Sequence, residues 1–261
     1  MSLLLALALQ LSSGAAPAPI ATTTPTAAAQ PYDPAAPYVT HGQDEAGYRS
    51  WYLAVPSRET QVKAFNDYLA SAGVSGVLPT WQLLRTASAW QECGSQPFEV
   101  PPTSEWPNMI QTLRYIRDYV IPDVGPVEAV SAYRNPVLNK CAGGAPESAH
   151  RLDSAVDLVP LRPITREALM QSLCADHSKH GEPYNAGLGF YAYLRFHIDS
   201  TKFRRWNMDP AVAALCPPLL KPEDAASSGQ PLPPSAPAAP QPAPTAPPAI
   251  TGQPAETIGQ H

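Results

Sequence analysis

Charge is scarce in this chain. Asp, Glu, Lys and Arg together make up 15 % of 261 residues, and the formal net charge is only −5. Lys and Arg form no long run, which argues against a nucleic-acid partner. No stretch after the N-terminus approaches the roughly 18–20 continuous apolar residues of a membrane span, so none is expected in the mature protein. The four cysteines, Cys93, Cys141, Cys174 and Cys216, include no C-x-x-C pair. That spacing argues against a zinc ribbon and a thioredoxin-like site. No repeat of solenoid period is present.

Proline is abundant, with 33 residues, and it is concentrated at the two ends. There the chain is also rich in Ala, Ser and Thr and too poor in large apolar side chains to offset ordering entropy. Residues 1–16 carry a short apolar segment, Leu3 to Leu11, followed by small residues around Gly14 to Ala16, the pattern of a secretory signal. Residues 17–37 read as a Pro/Ala/Thr-rich linker, 38–216 as one domain with a helical N-terminal part, and 217–261 as a disordered Pro/Ala-rich tail of polyproline II character. The expected location is periplasmic or otherwise associated with the cell envelope. Four cysteines in an exported chain imply two disulfides with three possible connectivities; Cys93–Cys141 and Cys174–Cys216 are favoured.

Within the domain, Ser57 is placed to cap a helix through Val62, Phe65 and Leu69 that stops at Gly73. A second helix is expected over Thr80 to Trp90, a proline-marked loop over Pro97 to Pro107, and a third helix capped by Ser104 and carrying Met109, Ile110, Leu113, Ile116 and Val120. Strands are expected at Val127 to Tyr133, Ser154 to Val159, Leu188 to Tyr191 and Arg195 to Asp199, with a helix over Thr165 to His177. Helices followed by a strand-rich half suggest an α+β domain.

The chemistry concentrates in SAHRLDSAVDLV, Ser148 to Val159, where Asp157 lies inside an apolar run, and in RFHID, where His197 does. His150 lies in the loop leading to the first of these strands. Zinc accepts imidazole nitrogen and carboxylate oxygen, and a shared dication offsets the desolvation of all three groups. The spacing alone leaves alternatives open: a strand histidine is usually a hydrogen-bonded core residue, and Asp157 has several arginines to pair with. His177 and His180 fall near a helix end, where imidazolium complements the helix dipole, and His41 and His261 lie in linker sequence. Trp81, Trp90 and Trp106 read as packing aromatics; Tyr191 is placed to line the cleft, although a strand tyrosine ordinarily packs.

SAYRNPVLNK, GGAPESAHRLDSAVDLV and GLGFYAYLRFHIDSTKFRRW together resemble the D-alanyl-D-alanine carboxypeptidase (VanY-like) zinc peptidases, which share the hedgehog-type fold. The resemblance runs from about Val127 to Trp206. It implies an α+β fold, a small antiparallel sheet with flanking helices, and a Zn²⁺-dependent peptidase acting on peptidoglycan stem peptides. It implies His150, Asp157 and His197 as metal ligands. Arg134 matches the arginine that receives a substrate carboxylate or polarised carbonyl, and Ser148 and Tyr133 are the accompanying substrate-binding residues.

Two positions depart from the family pattern. Leu194 stands where many members carry the acidic general base, three residues before the second histidine. Asp199 is the leading substitute, since it shares a strand face with His197; orienting a ligand is its alternative role, and Glu147 is a further candidate. Asp153 replaces a common Gly, and Asp tolerates a left-handed turn. The expected activity is D-Ala-D-Ala carboxypeptidase. The rivals are a cross-link endopeptidase and a non-catalytic zinc-containing module that binds muropeptide or protein.

Overall fold

The computed structural model describes residues 32–207 and Cys216. The expected export signal at 1–16, most of the linker and the tail beyond Cys216 lie outside the described residues.

Five strands form one sheet in the order β1-β2-β4-β3-β5. They are β1 (Val127–Ser131), β2 (Ala155–Pro160), β3 (Gly187–Phe190), β4 (Phe196–Asp199) and β5 (Arg204–Asn207). β1, β2, β4 and β3 pair antiparallel. β5 was not anticipated from the sequence and runs parallel to β3, so the sheet is mixed at that edge.

Strand alternation sorts the side chains onto two faces. Val156 and Leu158 of β2, Phe196 and Ile198 of β4, and Leu188 and Phe190 of β3 enter the main core. That core is completed by Val62, Phe65 and Leu69 of α2 (Ser57–Ser71), Met109 and Leu113 of α4 (Trp106–Tyr115), and Leu169 and Leu173 of α7 (Arg166–His180). Each such side chain contributes about 1.5–3 kcal/mol by leaving water. The opposite face carries Asp157 and Val159 on β2 and His197 and Asp199 on β4. At one end it is covered by residues 32–39, where Ala35 packs on Val130 and Val159 and the Tyr32 hydroxyl donates to the Pro160 carbonyl. Residues 32–37, expected as the end of the linker, thus contact the domain through Ala35 and Tyr32.

The helical half differs from the expectation in detail. α1 (Glu45–Leu53) was not foreseen; it starts at Asp44, whose carboxylate accepts from the Gly47 amide at 2.7 Å. Ser57 lies inside α2 rather than capping it, with Pro56 in the capping position and no side-chain cap. The expected helix at Thr80 to Trp90 is broken into α3 (Thr80–Leu83) and a short turn at Ser88–Trp90. Between them the chain extends, Arg85 bridging Phe98 and its carbonyl accepting from the Ala132 amide at 2.9 Å. Long-range pairing there overrides local helix propensity. Ser104 does not cap α4, which begins after Glu105 without a side-chain cap. α4 continues through a wide turn at Ile116–Val120 into α5 (Ile121–Val124), and α6 (Pro136–Cys141) follows β1.

Two disulfides are formed, Cys93–Cys141 and Cys174–Cys216. The first ties the segment after Ser88–Trp90 to the end of α6, and the second ties α7 to the chain beyond β5. Closing loops of 48 and 42 residues is worth about 4 kcal/mol each in chain-entropy terms.

Candidate metal centre and cleft

β2 and β4 are registered so that Asp157 faces His197 directly across the ladder. His150 arrives from a single tight turn, Ala149–Leu152, which closes at Asp153 in the left-handed conformation (φ 48°). That turn is held to the end of β1 by the Arg134 amide donating to the His150 carbonyl at 3.0 Å. His150, Asp157 and His197 are all buried, and each offers one ligand atom such that the three lie within 4.8 Å of one another.

The donor chemistry follows from the second nitrogen of each ring. His150 Nδ1 lies 2.6 Å from the Ala132 carbonyl, an acceptor that requires the proton on Nδ1 and leaves Nε2 as a lone pair. His197 Nε2 lies 2.9 Å from Asp199 Oδ2, which in the neutral ring leaves Nδ1 bare. Both bare nitrogens then face Asp157 Oδ1, at 3.2 and 3.1 Å. With both imidazoles neutral, the three ligand atoms meet as lone pairs. A divalent cation satisfies that arrangement, with the outer hydrogen bonds fixing ring orientation.

Electrostatics favour the ligand forms of His150 and Asp157, whereas at His197 burial lowers the imidazole but Asp157 and Asp199 outweigh it and raise it, so a cation bound there displaces a proton. Burial lowers the His150 imidazole to about 4, favouring the neutral ligand form. Burial raises the Asp157 carboxyl, but His150, His197 and Arg134 outweigh it and hold it well below the usual carboxylate range. Arg134 Nη2 donates to Asp157 Oδ2 at 2.7 Å and lies 3.3 Å from His150 Nε2, while its Nε donates to Ser131 Oγ at 3.0 Å.

The cluster opens into a cleft of about 680 Å³. Arg134, Glu147, Ser148, Tyr191, Arg195 and Trp206 line it, together with small residues at 87–89 and 142–145 and Tyr38 from the N-terminal strap. The Cys93–Cys141 bridge joins the chain just beyond the first small-residue wall to the start of the second. Residues 82–199 match a family model described as Peptidase M15. The M15 segment is a little under half of the chain and contains Arg134, Ser148, His150, Asp157 and His197. The match supports a metallopeptidase of that zinc-dependent family. No curated protein and no solved structure matches the chain.

Not every expected residue of the M15 segment reaches the cleft. Tyr133, expected to bind substrate, is 5 % exposed and is not among the residues that line the cleft. Asp199 is absent from the lining as well. It sits behind His197, its Oδ1 accepting from the Thr201 amide at 2.9 Å and from Arg204 Nη1 at 3.0 Å, and its Oδ2 from Arg204 Nη2 at 2.8 Å. Burial raises its carboxyl, but the His197 and Thr201 contacts outweigh that and hold it far below the ordinary range. A carboxylate so occupied is placed to orient its imidazole, the second of the two roles expected of Asp199. Leu194 is part-buried against the main core and puts no acid in the cleft. Among the described residues, Glu147 is the remaining carboxylate lining the cleft besides Asp157.

The G-x-G of GLGF has a steric cause. A Cβ on Gly187 would overlap the Asp199 carboxylate, and one on Gly189 would overlap the Trp206 indole. Trp206 packs 5.4 Å from the His197 ring and 5.2 Å edge-on from Tyr191. Tyr191, expected as packing, both packs on Trp206 and lines the cleft, and no role was expected of Arg204. The G-x-G spacing beside a downstream tryptophan was the available signal.

His177 also departs from expectation. It is buried, stacked 4.7 Å from Phe203, with Nε2 donating to the Ala186 carbonyl at 2.7 Å. Burial lowers it to about 4, so at neutral pH it is an uncharged packing residue. His180 stacks 4.4 Å from Tyr119.

Proposed function

We propose that this chain is an exported zinc peptidase that hydrolyses D-amino-acid-containing peptide bonds of peptidoglycan, with removal of terminal D-Ala from D-Ala-D-Ala stems as its main activity. The observation that carries this reading is the convergence of His150 Nε2, Asp157 Oδ1 and His197 Nδ1 at the floor of a cleft edged by Arg134. The two disulfides suit an oxidising compartment.

Bound at these three residues, zinc supplies Lewis-acid chemistry toward an amide carbonyl and the attacking water. Asp199 keeps the His197 proton on Nε2, and the Ala132 carbonyl keeps the His150 proton on Nδ1. Arg134, anchored through Nε and Nη2, directs its remaining N–H groups to the terminal carboxylate of the peptide. Glu147 takes the proton from the attacking water at its carboxylate and delivers it to the leaving amine. Ser148, at the cleft edge beside it, contacts the substrate backbone.

The deciding experiment is metal analysis of the purified full chain followed by mass spectrometry of purified muropeptides treated with it. Bound zinc with release of single D-Ala supports the reading, and loss of cross-linked dimers would replace it with an endopeptidase. Zinc without any product would point to a binding module, which the placement of Leu194 outside the cleft favours as the second reading. Stoichiometric absence of metal in protein never exposed to chelator overturns the proposal. Glu147→Gln should lower turnover at least a hundredfold with zinc retained, as a lost general base does.

A further inference from the structure

Three arginines line the cleft, and two of them are matched to carboxylates. Arg134 is bound to Asp157 and Arg204 grips Asp199 with two nitrogens. Arg195 is different. Among the described residues its side chain makes no hydrogen bond or ion pair, and its Nε is shielded from solvent without a partner. What holds it is aromatic: its guanidinium carbon lies 3.9 Å from the centre of the Tyr191 ring and 4.7 Å from that of Tyr38.

Both rings are themselves fixed. The Tyr38 hydroxyl donates to the Ala192 carbonyl at 2.8 Å. The Tyr191 amide donates to the Arg195 carbonyl at 3.1 Å, closing the β3–β4 hairpin, and its ring abuts Trp206. Packing against aromatic faces leaves the charge and the in-plane N–H groups of a guanidinium uncommitted. Arg166, which donates to the Tyr193 carbonyl of the same hairpin, adds a second positive charge. A preorganised cation with an unsatisfied shielded donor, facing an open cleft, is complementary to an anion.

We propose that Arg195 is a second carboxylate-binding group of this cleft. It receives an acidic group carried within the substrate peptide, while Arg134 takes the terminal one. This rests on the peptidase reading above. The substrate class is a peptide bearing an internal free carboxylate, such as that of a γ-linked glutamyl or a dicarboxylic diamino residue, in preference to its amidated form.

The test uses the full zinc-loaded chain and two synthetic stem-like peptides. They differ only in whether the internal carboxylate is free or amidated, and the terminal amide is replaced by an uncleavable methylene-amine. Calorimetric titration should give about tenfold tighter binding of the acid form, the size of a lost charged hydrogen bond. Arg195→Met, which keeps the apolar stem between the rings, should bring the ratio of the two affinities close to one. Arg195→Lys should restore part of it. A wild-type ratio near one, or a ratio unchanged in Arg195→Met, overturns the subsite. Turnover of the cleavable peptides is measured in parallel. An Arg195-dependent ratio without turnover sinks the peptidase reading alone, turnover without a ratio sinks the subsite alone, and failure of both peptides to bind sinks both.

Discussion

Buried histidines occur in two contrasting settings here. In the cleft, His150 and His197 each give their outer proton to an acceptor and turn the second nitrogen toward Asp157. Under α7, His177 gives its proton to the Ala186 carbonyl and leaves Nδ1 without a partner, beside Phe203 and away from any carboxylate oxygen within bonding distance. Burial is common to both, so burial does not distinguish a ligand from a packing residue. What distinguishes them is where the second nitrogen points and whether another lone pair meets it. The same contrast separates two buried acids. Asp157 is surrounded by imidazole and guanidinium groups, whereas Asp153, equally buried, has neither oxygen hydrogen-bonded.

The largest expected effect comes from breaking the first setting. Asp157→Ala should abolish stoichiometric zinc and all turnover, while His177→Gln should leave zinc content unchanged. Metal analysis of both variants against the parent checks the contrast directly.

A second test concerns the acid side of the His177 setting. Its folded value is lowered from an ordinary 6.5 to about 4, so on acidification the unfolded chain takes up the proton first. The associated stability is complete above about pH 6.5 and is lost as the pH falls from there to about 4, a swing of about 3 kcal/mol. His177→Gln retains a donor for the Ala186 carbonyl and removes the titration. Its urea-unfolding free energy should fall less steeply than the parent's across that window.

Smaller in free energy is the role of Asp199. Asp199→Ala should weaken zinc binding by about 10–100-fold, the usual consequence of losing a ligand's orienting partner. Competition with a chelator measures this. Unchanged affinity together with abolished turnover would instead restore Asp199 as the base.

The smallest effect is expected at Asp153, whose carboxyl burial holds well above its usual range. A raised folded value means that the stability it confers is full below about pH 3.9 and is lost as the pH rises, because the unfolded chain ionises first. Asp153→Asn mimics the neutral form at every pH and suits the left-handed backbone. It should raise thermal stability at pH 7 by about 1–2 kcal/mol and have little effect near pH 3.5.

Much of this arrangement was legible in the sequence. Alternation alone places Asp157 and His197 on one face and Val156, Leu158, Phe196 and Ile198 on the other, and the four strands it marks all form. β5 escaped because RRWN carries no alternating apolar signal; it is held by pairing to β3 and by glycines that admit its side chains. The helix expected to reach Trp90 ended at Leu83 because Arg85 and Thr86 bond to distant chain, Ala132 and Pro97, an influence that local propensity does not contain. Tyr133 was drawn toward the cleft by its place in SAYR, but the irregular register between Ala129 and Ser131 ends the simple alternation there, and the side chain is buried.

The sequence by itself determined that a polar residue is embedded in each of two apolar strands and that a histidine precedes one of them. Those are local facts, set by strand period and residue type. Only the tertiary structure decided which acid would be a ligand and which would stand behind one, because Asp199 meets Arg204 and His197 through side-chain geometry that strand period does not specify. The same holds for Arg195, whose unpaired charge depends on Tyr38, brought in from more than a hundred and fifty residues away.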